Sequence, residues 1–390
     1  MLLKNANIFT NDFDFKKGSI SIEEQDISSL DFDDNNKYLS NQDVIDCTDL
    51  YAVPGFIDLH FHGAVGRDVS DGNTSDVLEI AKYEASCGIL GICPATMTLS
   101  EDKLTKAMSS LNSYKNYTTE YNCADLLGIN LEGPFLSKYR LGAQNPKYVH
   151  VPDYDMLKRL DEASGGLIKI VCISPEVEGA DDFIQQARDK YTISVAHTNA
   201  TYKQTSNAIK FGAKHLTHMF NAMPQITHRS PGPIISFSEA SLNDPGCVHT
   251  ELICDGRHID SPMIRFAFRL IDKSSIVMIS DSSEATGMPD GQYSLGGLDI
   301  IKKNNIATLK DDTNTIAGSV SNLYDCFKYA VSCANVPLNL AVMACTINPA
   351  RAIGVEGSYG SIEVGKKANI LLLDKNLIIK NIILRGRVIK

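Results

Sequence analysis

The chain has 390 residues, of which 43% are hydrophobic and 22% are charged, and its formal net charge at pH 7 is −10. This length is enough to bury a large core, but no run approaches the roughly 20 consecutive apolar residues that a membrane helix needs. The acidic balance argues against a surface that follows nucleic-acid phosphates, so we expect neither a membrane nor a nucleic-acid partner.

The N-terminal residues favour short strands. The stretch GSISIEEQDISSL alternates apolar and polar residues and contains no helical period. The C-terminal stretch GSIEVGKKANILLLDKNLIIKNIILRGRVIK also has short apolar segments separated by turn residues and no helical period. It predicts about three more strands. We expect residues 1–53 and 355–390 to pair into one small β-sandwich domain, with residues 54–354 inserted between them.

The first residues, MLLKNANIFTNDFDF, lack the apolar run and small-residue cleavage site of a secretory signal. The ten cysteines are scattered singly, many within apolar runs, which is typical of buried free thiols and not of a disulfide framework. We therefore expect a cytoplasmic protein.

Residues 54–354 alternate short apolar runs with longer amphipathic stretches, the pattern of repeated βα units. Each run ends in polar or ionisable residues, and (β/α)8 barrels place their active sites at these strand ends. No glycine-rich nucleotide-binding loop supports the competing doubly wound sheet. The sequence thus predicts a (β/α)8 TIM-like barrel whose strands lie in eight runs: AVPGFIDLHFHG, GILGICPATM, LLGINLEGPF, LIKIVCISPE, YTISVAHTNA, KHLTHMFNAM, HTELICDGRH and SSIVMISDSS.

The predicted strand ends carry the side chains of a divalent-metal centre. Residues two apart on a strand project from the same face, so the first run presents two imidazoles to one ion. Neutral imidazole and carboxylate together suit zinc. Any one of these residues alone is more often structural, but their recurrence at one rim indicates a metal site: His60, His62, Glu132, His197, His215, His218 and Asp281.

A metal-dependent hydrolase that cleaves an amide must also protonate the leaving amine. Asp281, which ends the eighth run in Ser280-Asp281-Ser282, is the natural carboxylate to take a proton from water and return it to nitrogen. The alternative is a helix N-cap, because Asp-Ser-Ser also starts helices.

Ten segments together carry a family resemblance. In chain order they are PGFIDLHFHG, LEGPF, AHTNA, THMFNAM, HRSPG, DGRHID, ISDSSEATGMPDG, AGS, TINPARAIGV and GSIEVGKKANILLLD. The chain resembles the N-acetylglucosamine-6-phosphate deacetylases of the amidohydrolase superfamily over well over three quarters of its length. The resemblance implies removal of acetate from an amino-sugar phosphate by metal-activated water, and a homodimer.

The resemblance also implies roles for individual residues. Asp281 matches the acid/base, and the metal ligands match Glu132, His197 and His218. His60 and His62 fit a subset of the family in which this pair holds a second ion, so one metal is expected and two are allowed. Zinc is the first choice, with iron, manganese and cobalt as alternatives. The matched substrate-binding positions are Ala143, Asn221, Ala222, Arg229, His258 and Ile316, of which Arg229 and His258 match phosphate-binding positions, one of them contributed in the family by a neighbouring subunit.

Gln144 departs from the family pattern. Where the family reads G-A-H-N-P, this chain reads Gly142-Ala143-Gln144-Asn145-Pro146, so an amide replaces the imidazole that helps position the acetamide carbonyl. Glutamine donates a hydrogen bond but cannot carry a proton. We expect Gln144 at the substrate, with rate and substrate preference changed more than the reaction class.

Three alternatives remain open at this point. N-acetylgalactosamine-6-phosphate deacetylases look very similar, and the sequence does not separate the two epimers. A dihydroorotase-like cyclic-amide hydrolase is disfavoured because such enzymes use a modified lysine on the fourth strand, whereas Lys169 lies near the start of that strand. A barrel that has lost catalysis and only binds a ligand has Gln144 as its sole support.

Overall fold

The computed structural model describes residues 1–33, 43–117 and 122–390. All eight predicted runs form strands that pair in parallel in chain order, with the second and third strands each broken into two pieces. The (β/α)8 barrel is thereby confirmed. Within the described residues its strands are Phe56–Asp58, Ile89–Ile92 with Ala95–Thr96, Asp125–Leu126 with Ile129–Leu131, Ile168–Ile173, Thr192–Val195, Ala213–Leu216, His249–Ile253 and Ile276–Ile279.

The barrel strands are buried on both faces, as expected of a parallel sheet covered by helices. In the fourth strand, Ile170 and Cys172 belong to one core cluster, while Val171 and Ile173 belong to another. The first cluster fills the barrel and the second packs under the helices, because successive strand side chains point to opposite faces. This alternation leaves the polar strand ends as the rim on which a site is built.

Helices connect the strands, and several begin at side-chain caps. Thr201 and Gln204 form a reciprocal capping box, while Asp153 accepts a hydrogen bond from the backbone N–H of Met156. The α-helices are Thr74–Ser86, Glu101–Tyr114, Tyr154–Ala163, Ala180–Ala187, Tyr202–Phe211, Gly232–Asn243, Ser261–Leu270, Leu323–Ser332, Leu338–Cys345 and Ile347–Ala352. Short 3-10 helices span Val69–Asp71, Lys115–Tyr117 and Pro146–Tyr148. In the part of the chain that is described, none of these helices has the length and apolar character needed to cross a membrane.

The two ends of the chain share one sheet, as the sequence predicted. The strand Ile370–Leu373 pairs antiparallel with Tyr51–Pro54, which also pairs parallel with Leu2–Phe9. The boundaries proposed at 53/54 and 354/355 remain predictions. The strands of this terminal sheet are Leu2–Phe9, Phe15–Glu23, Asp26–Asp31, Val44–Asp46, Tyr51–Pro54, Ile370–Leu373, Ile379–Leu384 and Arg387–Val388.

A buried ion pair joins the terminal sheet to the barrel. Arg385 follows the strand Ile379–Leu384, and its Nη1 lies 2.5 Å from Oδ1 of Asp125 on the third barrel strand. Both side chains are about nine-tenths buried. Asn369 donates a hydrogen bond to the other carboxylate oxygen of Asp125 at 3.1 Å. The junction is therefore fixed by matched polar groups as well as by apolar packing.

Two small β-elements are added near the barrel rim, one after the eighth strand and one after the first. The strands Gly291–Leu295, Leu298–Lys303 and Ile306–Leu309 form an antiparallel meander. A two-stranded ribbon pairs Gly63–Ala64 with Arg67–Asp68 immediately after the first barrel strand. These additions build up the walls above the strand ends.

Candidate active site

The first barrel strand delivers two histidines to the centre of the rim. His60 is fully buried and His62 is 3% exposed. Their ring centroids are 5.4 Å apart, and their Nε2 atoms lie 3.2 and 3.4 Å from the two carboxylate oxygens of Glu132. The predicted convergence of this pair is therefore present in the structure.

Glu132 lies where two groups of histidines meet. It follows the third barrel strand, and its Oε1 lies 3.1 Å from Nε2 of both His197 and His218. Those two ring nitrogens are 3.2 Å apart. Burial raises the pKa of the Glu132 carboxyl, but the charge of His60 and the hydrogen bonds from His197 and His218 outweigh burial and hold this pKa well below its usual range. Glu132 is thus an anionic centre ringed by imidazole nitrogens.

The donor set fits a divalent cation. Two groups each have ligand atoms within 4.8 Å of one another, and Glu132 belongs to both: it joins His60 with His62, and His197 with His218. The buried Nε2 of His60 has no hydrogen-bond partner among the described residues, although it faces Glu132. Buried polar atoms normally have hydrogen-bond partners. An unpartnered imidazole nitrogen beside a carboxylate is therefore typical of a residue that coordinates a metal ion.

A second carboxylate, Glu251, orients this cluster from below, and the sequence reasoning missed it. Glu251 is fully buried on the seventh strand, and it accepts hydrogen bonds from Nδ1 of His60 at 2.9 Å and from Nε2 of His215 at 3.0 Å. It also accepts the backbone N–H of His218 at 3.0 Å. When His60 is neutral, this arrangement places its proton on Nδ1 and turns Nε2 toward Glu132.

Asp281 stands at the mouth of the cluster, at the end of the eighth strand. Its Oδ1 lies 3.2 Å from Nε2 of His62 and 3.7 Å from Nε2 of His60. Burial raises the pKa of Asp281, but the hydrogen bond from His62 and the nearby imidazole charges leave it lower than its ordinary value. Asp281 does not cap a regular helix, because Ser282 forms a β-bridge with Ser319 and the chain then enters turns at residues 284–287.

The backbone is strained at the residues of this cluster. His197, His218 and Asp281 have φ values of 41°, 27° and 52°, and Ala222 has a φ of 49°. Non-glycine residues rarely adopt this left-handed region, and each instance costs on the order of 1–3 kcal/mol. Such strain accumulates at functional sites, where it aims side chains that regular strands would direct elsewhere.

A pocket of about 290 Å³ opens above the cluster. Eleven of the predicted site residues line it, while His60 lies beneath its floor. Arg229 does not line the pocket of its own chain and is exposed on the segment that precedes the helix Gly232–Asn243. The predicted residues at the pocket are His62, Glu132, Ala143, Gln144, His197, His218, Asn221, Ala222, His258, Asp281 and Ile316.

His258 places an imidazole in the pocket wall. Its Nδ1 donates a hydrogen bond to Oδ2 of Asp255 at 2.8 Å. Burial lowers the pKa of His258, but the bond to Asp255 and the charge of that carboxylate outweigh burial and raise this pKa above its ordinary value. An imidazole that keeps its proton more readily suits an anionic ligand.

Several wall residues escaped the sequence reasoning. Asn314, Thr315 and Gly318 come from the segment after the antiparallel meander, and Leu295 comes from the meander itself. Met97 and Phe220 add to the wall from the second and sixth strand ends, and Gly142 lines it beside Ala143. None of these residues is ionisable, and the meander and the segment after it belong to no βα unit, so the residue types and the strand pattern did not mark them as wall residues.

The chain has clear relatives. The sequence pattern of the Amidohydrolase family matches residues 128–389. The N-acetylglucosamine-6-phosphate deacetylase of Bacillus subtilis (strain 168) is 30% identical over 390 residues, which cover 100% of this chain and 96% of the relative. The N-acetylgalactosamine-6-phosphate deacetylase of Escherichia coli O157:H7 is 30% identical over 86% of both chains.

A solved structure agrees with these sequence relatives. It is a mutant N-acetyl-D-glucosamine-6-phosphate deacetylase from Mycobacterium smegmatis in complex with N-acetyl-D-glucosamine-6-phosphate. This chain superimposes on it with a TM-score of 0.90 and 30% sequence identity, over 100% of this chain and 98% of the other. The likeness therefore extends over the barrel and the terminal sheet together.

Proposed function

The chain belongs to the amidohydrolase family, and we propose that it hydrolyses N-acetylglucosamine 6-phosphate to glucosamine 6-phosphate and acetate. The observation that carries this proposal is the placement of Asp281 beside the cluster of Glu132, His197 and His218, at the floor of a pocket that also contains His258. The relatives with this reaction match the chain over nearly its whole length.

Five residues of the site are the proposed metal ligands. Glu132, His197 and His218 would hold one divalent cation, and His60 with His62 would hold a second where two are bound. Such a cation polarises a carbonyl and lowers the pKa of water toward neutrality. Zinc is the ion that this set of imidazole and carboxylate donors suits best, with iron, manganese and cobalt as alternatives.

Asp281 serves as the general acid and base. Its lowered pKa keeps it ionised at neutral pH, so it accepts a proton from the attacking water. It then returns that proton to the leaving nitrogen, which departs as the free amine of the sugar. A carboxylate that moves one proton twice completes the reaction without any other acid in the pocket.

The wall residues bind the sugar phosphate. His258 donates a hydrogen bond to the phosphate from its Nε2. Its Nδ1 is bonded to Asp255, which raises the pKa of the imidazole and so favours its protonated form. Asn221, Ala222, Ala143 and Ile316 contact the sugar. Because Arg229 is exposed outside its own pocket, we infer that it reaches the phosphate in a neighbouring subunit of a homodimer.

We place the protein in the cytoplasm, where thiols stay reduced. The ten cysteines all lie in the described part of the chain, where none forms a disulfide, and seven of them are buried. A reducing compartment keeps the exposed Cys247 and Cys333 from forming disulfides between chains.

The experiment that tests this function is acetate release from N-acetylglucosamine 6-phosphate by the purified protein, with its metal content measured in parallel. Release of one acetate per sugar is the expected result. No release by protein that carries its metal would reject the function.

N-acetylgalactosamine 6-phosphate is the second candidate substrate, because the Escherichia coli relative named for it is also 30% identical to this chain, although over 86% of the chain and not over all of it. The same assay with both sugars separates the two epimers through the ratio of their kcat/KM values. A higher kcat/KM for the galactose epimer would move the assignment to that substrate.

A further inference from the structure

Gln144 lies within the pocket wall, but its side chain turns toward protein atoms. It is 3% exposed and sits in the loop that follows the third barrel strand. A buried glutamine needs partners for both its carbonyl and its amino group, and these partners identify what it does.

The orientation of the Gln144 amide is fixed by a backbone donor. Its Oε1 accepts the backbone N–H of Thr98 at 2.8 Å, so its Nε2 must face the opposite way. There Nε2 donates to Oε2 of Glu132 at 2.7 Å. The remaining N–H lies toward Sδ of Met97 at 3.8 Å, a weak acceptor.

The segment that anchors the amide is rigidly placed. Thr98 is fully buried and packs against Gly133, the residue after Glu132. A Cβ on Gly133 would come within 2.1 Å of Oγ1 of Thr98, and Gly133 has a φ of +101° that favours glycine. The ends of the second and third strands are thus locked together, and Gln144 bridges them.

The contact matters because the two oxygens of Glu132 face different histidines. Oε1 lies near His197 and His218, whereas Oε2 lies 3.4 Å from Nε2 of His62. Rotation of the carboxylate would exchange or misalign the two oxygens. A short hydrogen bond to Oε2 alone resists that rotation and leaves Oε1 entirely to the histidines.

We propose that Gln144 is a positioning residue for Glu132, and that it orients this shared carboxylate instead of binding the acetamide carbonyl of the substrate. The inference rests on the metal-binding role proposed for Glu132. This role explains how a glutamine can stand where the family has an imidazole while the site is kept. The Gln144 Nε2 donates to Glu132 and its Oε1 accepts from Thr98, so both groups are bonded within the protein.

The test is retention of zinc by the purified, zinc-loaded protein during titration with a chelator. Gln144→Met keeps the length of the side chain but removes the donor and the acceptor. We expect it to lose zinc at a chelator concentration about 10–100-fold lower than the wild type, the usual effect of removing a group that orients a metal ligand. Gln185→Met, at an exposed position on the helix Ala180–Ala187, should retain zinc as the wild type does.

A second variant decides the matter if Gln144→Met does not fold, as judged by circular dichroism. Gln144→Asn keeps a buried amide but is one methylene shorter, so it cannot span Thr98 and Glu132 together. Gln144→Asn should also lose zinc at a lower chelator concentration than the wild type does. Wild-type zinc retention in the folded variants would overturn the proposal, and a raised KM with normal retention would assign Gln144 to the substrate instead.

The zinc measurement requires no turnover. A wild-type protein that held zinc but released no acetate would reject the proposed function and still allow the role of Gln144 to be decided.

Discussion

Replacing Asp281 with asparagine removes the proposed acid and base while keeping nearly the same side-chain shape. The side chain of Asp281 is 12% exposed, so an amide of equal size fits the same space. Oδ1 of Asp281 lies 3.2 Å from His62 Nε2, and an asparagine oxygen can still accept that hydrogen bond. The substitution therefore isolates the loss of proton transfer.

The expected magnitude follows from that loss. General acid–base catalysis typically contributes about 10²–10⁴-fold, which corresponds to roughly 2.7–5.5 kcal/mol of transition-state stabilisation. Because the proposed mechanism uses Asp281 for both proton transfers, we expect turnover to fall to the background of the assay. Metal content should stay at the wild-type level, since Glu132, His197 and His218 are unchanged.

The assay is acetate release at saturating N-acetylglucosamine 6-phosphate, with metal analysis of the same samples. Asp299→Asn is the matched control, because Asp299 is exposed and forms only a surface ion pair with Lys310. Retained activity in Asp281→Asn would refute the role of Asp281. Loss of metal together with activity would show that Asp281 acts as a ligand and not only as a proton carrier.

Three other perturbations test separate parts of the structure. Arg229→Ala should chiefly raise KM for the phosphorylated sugar and leave an unphosphorylated N-acetyl sugar nearly unaffected; equal losses on both sugars would count against phosphate binding by Arg229. Glu251→Gln should lower metal affinity about 10–100-fold, measured by chelator competition, because it weakens the bonds that orient His60 and His218; an unchanged affinity would contradict that role. Arg385→Met should lower the free energy of unfolding by about 3 kcal/mol or more in urea titrations, because it leaves the buried Asp125 without its charged partner. A change below about 1 kcal/mol would mean that the junction does not depend on this pair.

The barrel was predictable because each of its strands has the same sequence pattern. Short buried runs end in polar residues, and eight of them in order leave few topologies open. The pair His60 and His62 was equally visible, since the spacing of two residues fixes a common face.

Glu251 shows where such reasoning stops. It sits in the middle of HTELICDG and contacts His60, which is 191 residues earlier in the chain. Only the closed barrel brings these residues together. A carboxylate inside an otherwise buried strand was nevertheless a usable signal, because a buried charge requires a partner.

Gln144 and Arg229 illustrate a different limit. Their positions were matched through motifs, and a motif carries no information on which way a side chain turns. Gln144 lines the pocket as expected, yet its hydrogen bonds run to Thr98 and Glu132. Arg229 is exposed outside the pocket of its own chain, so the phosphate contact proposed for it requires a neighbouring subunit, which the sequence motif does not describe.

The strand Tyr51–Pro54 sits between Leu2–Phe9 and Ile370–Leu373, and this placement has a consequence for biosynthesis. Roughly 300 residues separate Pro54 from Ile370, so a ribosome that adds about 5–20 residues per second needs on the order of 15–60 s to supply the missing neighbour. If the N-terminal strands pair as they are synthesised, one edge of the strand Tyr51–Pro54 has unpaired N–H and C=O groups throughout that interval. Emergence of the C-terminal strands therefore ends the period in which this edge is open to aggregation.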